Sequence, residues 1–180
     1  MHMYIRLIRI QLTTMKILFI TTNSRKVGEA KAACDDFGIE IIQQQADIDE
    51  IQHSDPAKVS EHKAKQAFQI LNKPLVVADT CWSIPALNGF PGAYMKEVAN
   101  WFTPDDFLNL IKDKHDNRIM FSENIVYIDS TQMKRFSKEY WGTIVPPRGK
   151  GFSIEEVAEF EGFTLGERRE QGGYSHKPED

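Results

Sequence analysis

Two carboxylates and a handful of lysines are the residues of this chain whose types and positions suit chemistry. Asp79 closes a short apolar run, Pro74 to Asp79 (PLVVAD), and Glu50 lies in an acidic stretch from Asp47 to His53. Brought together, two carboxylates can hold Mg²⁺ through oxygen and leave room for water and phosphate ligands. Taken singly, Asp79 reads as a cap or turn residue and Glu50 as a solvated loop charge. Lys26, Lys63, Lys96 and Lys177 come from four separate segments, so only a fold can gather them. Lys26 has the most telling position. It ends TTNSRK (Thr21 to Lys26), where the apolar run Met15 to Ile20 gives way to a helical pattern. A strand-to-helix turn of small polar residues suits phosphate. The first N–H groups of a helix lack intrahelical partners, the helix dipole adds positive charge, and a lysine supplies a mobile cation. The glycines of a P-loop are missing, and without a ligand the same turn is a plain connection.

His176, between Ser175 and Lys177 in a polar tail, suits a hydrogen-bonding group beside a ligand, although a disordered terminus explains it equally well. His2, His53, His62 and His115 have no metal-ligand spacing. Trp82, Trp101 and Trp141 read as core or interface residues before they read as platforms for a base. Nucleophile elbow, zinc pattern and dinucleotide glycine motif are all lacking, which leaves covalent and redox chemistry without support.

These residues need an α/β scaffold. Met15 to Thr21 is a near-continuous apolar run, the mark of a strand buried on both faces. Val27, Ala30, Ala33, Cys34 and Phe37 follow at helical spacing, with Gly38 as a stop. Ile39 to Gln43 reads as a second strand. Asp55-Pro56 is a strong helix start, and Val59, Ala64, Ala67, Phe68 and Leu71 give that helix its apolar stripe. Pro74 to Asp79 is a third strand, delivering Asp79 at its carboxyl end, where ligands of open α/β sheets collect. Asn88 to Gly92 reads as a loop, and Thr103-Pro104-Asp105-Asp106 opens another helix with Phe107, Leu108 and Ile111 inward. Ile119 to Ile128 and Met133 to Val145 form a long antiparallel hairpin about Asp129-Ser130, followed by a breaker-rich loop, Pro146 to Gly151.

At 180 residues, one domain is expected, able to bury about two-thirds of its unfolded surface. A net charge of −4 excludes a broad nucleic-acid face but leaves room for a small anion on a local lysine cluster. Cys34 and Cys81 lie too far apart for a metal or redox pair, and buried free thiols in a reducing cytosol are expected. Met1 to Thr14 is interrupted by Arg6 and Arg9, too short and charged to span a membrane and lacking a cleavage site. A native domain starting at Met15, a cytoplasmic location and no membrane partner are the expectations.

Four segments in order resemble the inosine triphosphate pyrophosphatase family. TTNSRK is similar to its T-G-N-x-x-K phosphate loop, with Thr22 at the usual glycine. VVADTCWSIPALNGFPGAY (Val76 to Tyr94) is similar to its central motif, an acidic residue followed by a stretch ending A-L-x-G-x-P-G-x-Y. IVPPRG (Ile144 to Gly149) resembles the segment before the base-binding loop, and Ser175-His176-Lys177 resembles the S-H-R ending. The resemblance runs from Met15 to about Lys177.

It implies a long mixed, twisted α/β sheet in two lobes flanked by helices, with a nucleotide cleft between the lobes and commonly a homodimer. It also implies Mg²⁺-dependent hydrolysis of ITP, dITP or XTP to the monophosphate and pyrophosphate, which cleanses the nucleotide pool. Thr21, Asn23 and Lys26 would hold phosphates; Asp79 would bind the metal and position or deprotonate water, with Glu50 as second metal carboxylate. Thr80, Lys63 and Lys96 would line the substrate channel, and His176 and Lys177 would contact the base. The family's F-G-[WY]-D is written here Phe152-Ser153-Ile154-Glu155, keeping Phe152 and a carboxylate, Glu155, but losing an aromatic platform. Ala78 replaces a second acidic residue, Gln171 a lysine and Lys177 an arginine, which loses the planar fork. These departures fall mostly in the base half and imply weaker base discrimination. A pyrophosphatase for other modified nucleotides and a non-catalytic nucleotide-binding relative are the alternative readings.

Overall fold

The computed structural model describes residues 15–49, 51, 53 and 55–172. Strand β1 (Met15–Ile20) pairs in parallel with β2 (Ile39–Gln44) along its whole length, joined by helix α1 (Ser24–Asp35). Helix α2 (Pro56–Leu71) leads to β3 (Leu75–Ile84), parallel to β1. Asp55 caps α2 by accepting from Ala57 N, and Pro56 occupies the first turn, where a missing N–H costs nothing. A 3₁₀ turn (Pro85–Leu87) and short β4 (Phe90–Gly92) precede α3 (Met95–Trp101) and α4 (Pro104–Ile111). Thr103 and Asp106 close a reciprocal capping box at the start of α4. The hairpin β5 (Arg118–Ile128) and β6 (Met133–Ile144) pairs from Arg118↔Thr143 to Ile128↔Met133. Its turn is fixed by Asp129 Oδ1, which accepts from the Thr131 hydroxyl and from Thr131 N and Gln132 N. A second 3₁₀ turn (Ser153–Glu156), β7 (Ala158–Phe160), β8 (Phe163–Thr164) and α5 (Leu165–Glu170) complete the described chain. The expected mixed α/β sheet is thus one of eight strands, in the order β2-β1-β3-β5-β6-β7-β8, with β4 attached to β3.

Three apolar clusters hold it. Ile17, Phe19, Val27 and Ile41 join α1 to one face of the parallel strands. Ala64 and Ala67 of α2 pack on Leu75, Val77, Val126 and Ile128 on the other. The third gathers Ile84, Phe107, Ile119, Ile154 and Phe160 at the far end of β3. Among the described residues no helix is long and apolar enough to cross a membrane.

Three expectations are corrected. β3 does not stop at Asp79: polar Asp79 and Thr80 break the apolar run, but β5 pairs with it from Leu75 to Ser83 and keeps it extended. α1 ends at Asp35, and of its expected stripe only Val27 is buried, while Phe37 is 78% exposed beyond the helix. The stretch after Gly151, which periodicity left unassigned, carries two strands and α5, each too short for a periodic pattern to register.

The breaker-rich loop fits because of its last glycine but one. Gly149 has φ +71, and a Cβ there would stand 2.2 Å from the backbone nitrogen of Glu167. Gly149→Ala is therefore expected to lower stability by about 3 kcal/mol or more, measured by denaturant unfolding. An unchanged midpoint would contradict this close approach.

Candidate active site

The turn between β1 and α1 is organised by its own side chains. Thr21 Oγ1 accepts from Asn23 N at 3.0 Å, and Asn23 Oδ1 accepts from Arg25 N at 3.0 Å and Lys26 N at 3.4 Å. The expectation of vacant first-turn N–H groups is corrected here, since the Asn23 side chain fills two of them. An anion at this turn would meet chiefly the Lys26 side chain.

Lys26 reaches a gap in the sheet. β1 pairs with β3 only at Leu75 and Val76, and β4 pairs with it only from Trp82 to Ile84. Between these, residues 77–81 face no strand on the side away from β5, among the described residues. The Ala78 carbonyl points into that gap, where Lys26 Nζ donates to it at 2.9 Å. By the two-residue alternation of a strand, the main-chain groups of Thr80 point the same way.

Asp79 meets Lys63 of α2, with Nζ 3.3 Å from Oδ1. Its other oxygen, Oδ2, is buried and has no hydrogen-bond partner. Burial pulls the Lys26 ammonium below the usual lysine range; neighbouring Asp79 and Glu123 push it up, and Lys63 and Arg25 push it down. Lys26, Lys63 and Asp79 therefore meet around the gap, and lysine side chains there suit a polyanion. The orphaned Oδ2 is a hard oxygen donor of the kind Mg²⁺ takes, and a metal that draws its remaining ligands from water and phosphate needs no dedicated cage. Among the described residues no cluster of three acidic, histidine or cysteine side chains offers such a cage.

Pairing with β5 and β6 sets the neighbours. On the Asp79 face, Asp79, Asn124 and Ser137 form one cross-strand row. Asn124 is 2% exposed; it donates to Ser122 Oγ at 3.2 Å and accepts from Ser137 Oγ at 2.9 Å. Asn124 and Ser137 of this row line a cleft of about 600 Å³ that extends to Asp55 and to the β4 loop, while Asp79, Lys26 and Lys63 lie outside its lining. On the opposite face Thr80, exposed, is in a row with Glu123 and Lys138. Sequence reasoning missed Asn124 and Glu123. The mark it could have used is a buried-phase Ser122-x-Asn124 inside an otherwise apolar strand.

The other expected residues are more scattered. Lys96 is exposed on α3, joined to neither Asp79 nor Lys26 by any bond among the described residues. Phe152 is 54% exposed beside the second 3₁₀ turn. Glu155 is already engaged, accepting from Phe152 N at 2.9 Å and pairing with Arg169 of α5. Gln171 is exposed at the end of α5. Trp82 belongs to the core, against Phe121 and Phe160, whereas Trp101 and Trp141 are exposed. Glu50, His176 and Lys177 lie outside the described residues.

Comparison with known proteins fits this geometry. The Ham1 family profile matches residues 17–170. A protein of Methanosarcina acetivorans named dITP/XTP pyrophosphatase is 32% identical over 155 residues, 84% of each chain. One of Yarrowia lipolytica named inosine triphosphate pyrophosphatase is 32% identical over 153 residues, 83% of this chain and 81% of that one. Among solved structures, a HAM1 protein from Coxiella burnetii superposes with a TM-score of 0.75 at 23% identity, covering 90% of this chain and 92% of its own. The Staphylococcus aureus Ham1 protein gives 0.71 at 20% identity, covering 89% and 91%. At those identities the two structures speak for the fold alone.

Proposed function

The chain belongs to the Ham1 family, and from that premise and the lysine-flanked aspartate we propose that it hydrolyses non-standard purine nucleoside triphosphates, ITP, dITP or XTP, to the monophosphate and pyrophosphate. The observation that carries this reading is the buried, unpartnered Oδ2 of Asp79, beside two lysines at the bare edge of β3.

Asp79, with Glu50, would hold Mg²⁺, which supplies charge neutralisation for the triphosphate when bound. Asp79 aligns a water against the α-phosphorus and accepts its proton. Lys63 exchanges its contact with Asp79 for the phosphates, and Lys26 gives up the Ala78 carbonyl for them. Together they neutralise the departing pyrophosphate. Thr21 and Asn23 act first on the shape of the turn, and Thr80 offers its hydroxyl and main chain to the ligand. Phe152, Glu155, His176 and Lys177 form the base end, with Lys96 at the channel rim. A donor at the base end favours a carbonyl at purine position six, because adenine's amino group would leave it unpaired.

The working form we propose is a homodimer, supported by the exposed cross-strand pair Ile125 and Phe136. A cytoplasmic location is supported by two free thiols. We place the start of the functional unit at Met15, a reading supported by the family match over residues 17–170.

Pyrophosphate release from ITP, XTP, GTP and dUTP, with and without Mg²⁺, tests the reading. Mg²⁺-dependent turnover of ITP and XTP above the other two is expected, with base discrimination blunted by the altered loop. Preference for dUTP would favour the alternative of a pyrophosphatase for other nucleotides. Tight binding without hydrolysis would favour a non-catalytic relative.

A further inference from the structure

We propose that Asn124 holds the water that Asp79 activates, and that Ser137 sets its amide for that task. The inference rests on the pyrophosphatase reading and names a further residue of the same reaction. Asn124 stands directly opposite Asp79 in the β3–β5 pairing, on the sheet face where Lys63 of α2 meets the aspartate. Side chains so paired have Cβ atoms about 5 Å apart, within reach of one shared water. Along that face β5 is apolar at Val126 and Ile128, packed with α2, and turns polar at Asn124 and Ser122, level with Asp79 and Cys81. A buried amide at such a place costs stability unless its hydrogen bonds are met.

Asn124 is 2% exposed, and two serines hold it. Ser137, across from it on β6, donates its hydroxyl to Oδ1 at 2.9 Å, and Nδ2 donates to Ser122 Oγ at 3.2 Å. With the carbonyl oxygen turned to β6, the nitrogen lies on the β3 side. An amide nitrogen carries two hydrogens, and Ser122 takes one. Among the described residues the other meets no acceptor, and the buried Oδ2 of Asp79 meets no donor. A water that accepts from Asn124 and donates to Oδ2 completes both, and it keeps a lone pair for the phosphorus. Asn124 and Ser137 also line the cleft of about 600 Å³, which gives solvent a way in. In turnover the water oxygen bonds to the α-phosphorus as its proton passes to Asp79. The bond from that phosphorus to the bridging oxygen breaks, and pyrophosphate leaves. The amide donor fixes the direction of attack, where small displacements cost rate rather than binding.

The test measures kcat and KM for ITP in the full chain, in Asn124→Leu and in Ser137→Ala, with the thermal midpoint of each and its shift on adding IMP. Leucine resembles asparagine in shape but has no donor, and Ser137→Ala keeps Asn124 while freeing its amide to turn. Asn124→Leu should lower kcat about ten- to a hundredfold, with KM, midpoint and IMP shift nearly unchanged. Ser137→Ala should lower kcat by less, again without raising KM. A merely structural asparagine would move the midpoint and leave kcat alone. Unchanged kcat in Asn124→Leu, or a loss seen only in KM, overturns the proposal; if that variant does not fold, Ser137→Ala decides in the same way. An unmodified chain that releases no pyrophosphate overturns the pyrophosphatase reading and the proposal with it. An active chain with unaffected variants overturns the proposal alone.

Discussion

Asp79→Asn is expected to cut pyrophosphate release from ITP by about a thousandfold or more, within the range of a lost general base, while the thermal midpoint stays level or rises. The two halves of that result come from the same atoms. Asparagine keeps the shape of the side chain and one oxygen for Lys63, but it cannot take a proton from water. It also removes a charge whose second oxygen is buried without a partner, a feature that costs stability in the absence of ligand. Groups arranged for a ligand commonly oppose the fold in this way. Full activity in Asp79→Asn would remove the aspartate from the chemistry. Lost activity together with a collapsed midpoint would make it a structural residue instead.

The second large effect concerns Lys26. Lys26→Ala is expected to raise KM for ITP by about ten- to a hundredfold, the worth of a charged hydrogen bond in a half-enclosed site. Inhibition by IMP should weaken much less, because a monophosphate offers fewer oxygens to the first turn. The fold should tolerate the change, since water can replace the ammonium at the Ala78 carbonyl. Equal losses for triphosphate and monophosphate would place Lys26 somewhere other than on the outer phosphates.

Much of this architecture could be read before any coordinates. Asp55-Pro56 and Thr103-Pro104 marked two helix starts because capping is local chemistry, settled within four residues. The β5–β6 hairpin was legible because Asp129 and the flanking apolar runs specify turn and strands together. The strand that carries Asp79 was legible, but its end was misjudged. Whether β3 stops or continues depends on β5, some forty residues away, and local pattern carries no knowledge of that partner. The same blindness hid Glu123 and Asn124, whose placement beside Thr80 and Asp79 comes entirely from the pairing of the strands. The base end was legible only through family resemblance. Phe152 and Glu155 form no periodic element, and Glu155 is held by an arginine on α5 that no spacing rule connects to it.

The unpaired stretch of β3 also bears on how such a site survives sequence drift. Its open edge is peptide backbone, the Ala78 carbonyl and the main chain of Thr80, so what position 78 presents there does not depend on its side chain. Alanine in place of an acid at position 78 leaves that edge as it was. Proline at 78 or 80, which deletes an amide hydrogen facing the gap, would breach it. What the fold supplies as bare polypeptide persists for as long as the strands on either side keep their distance.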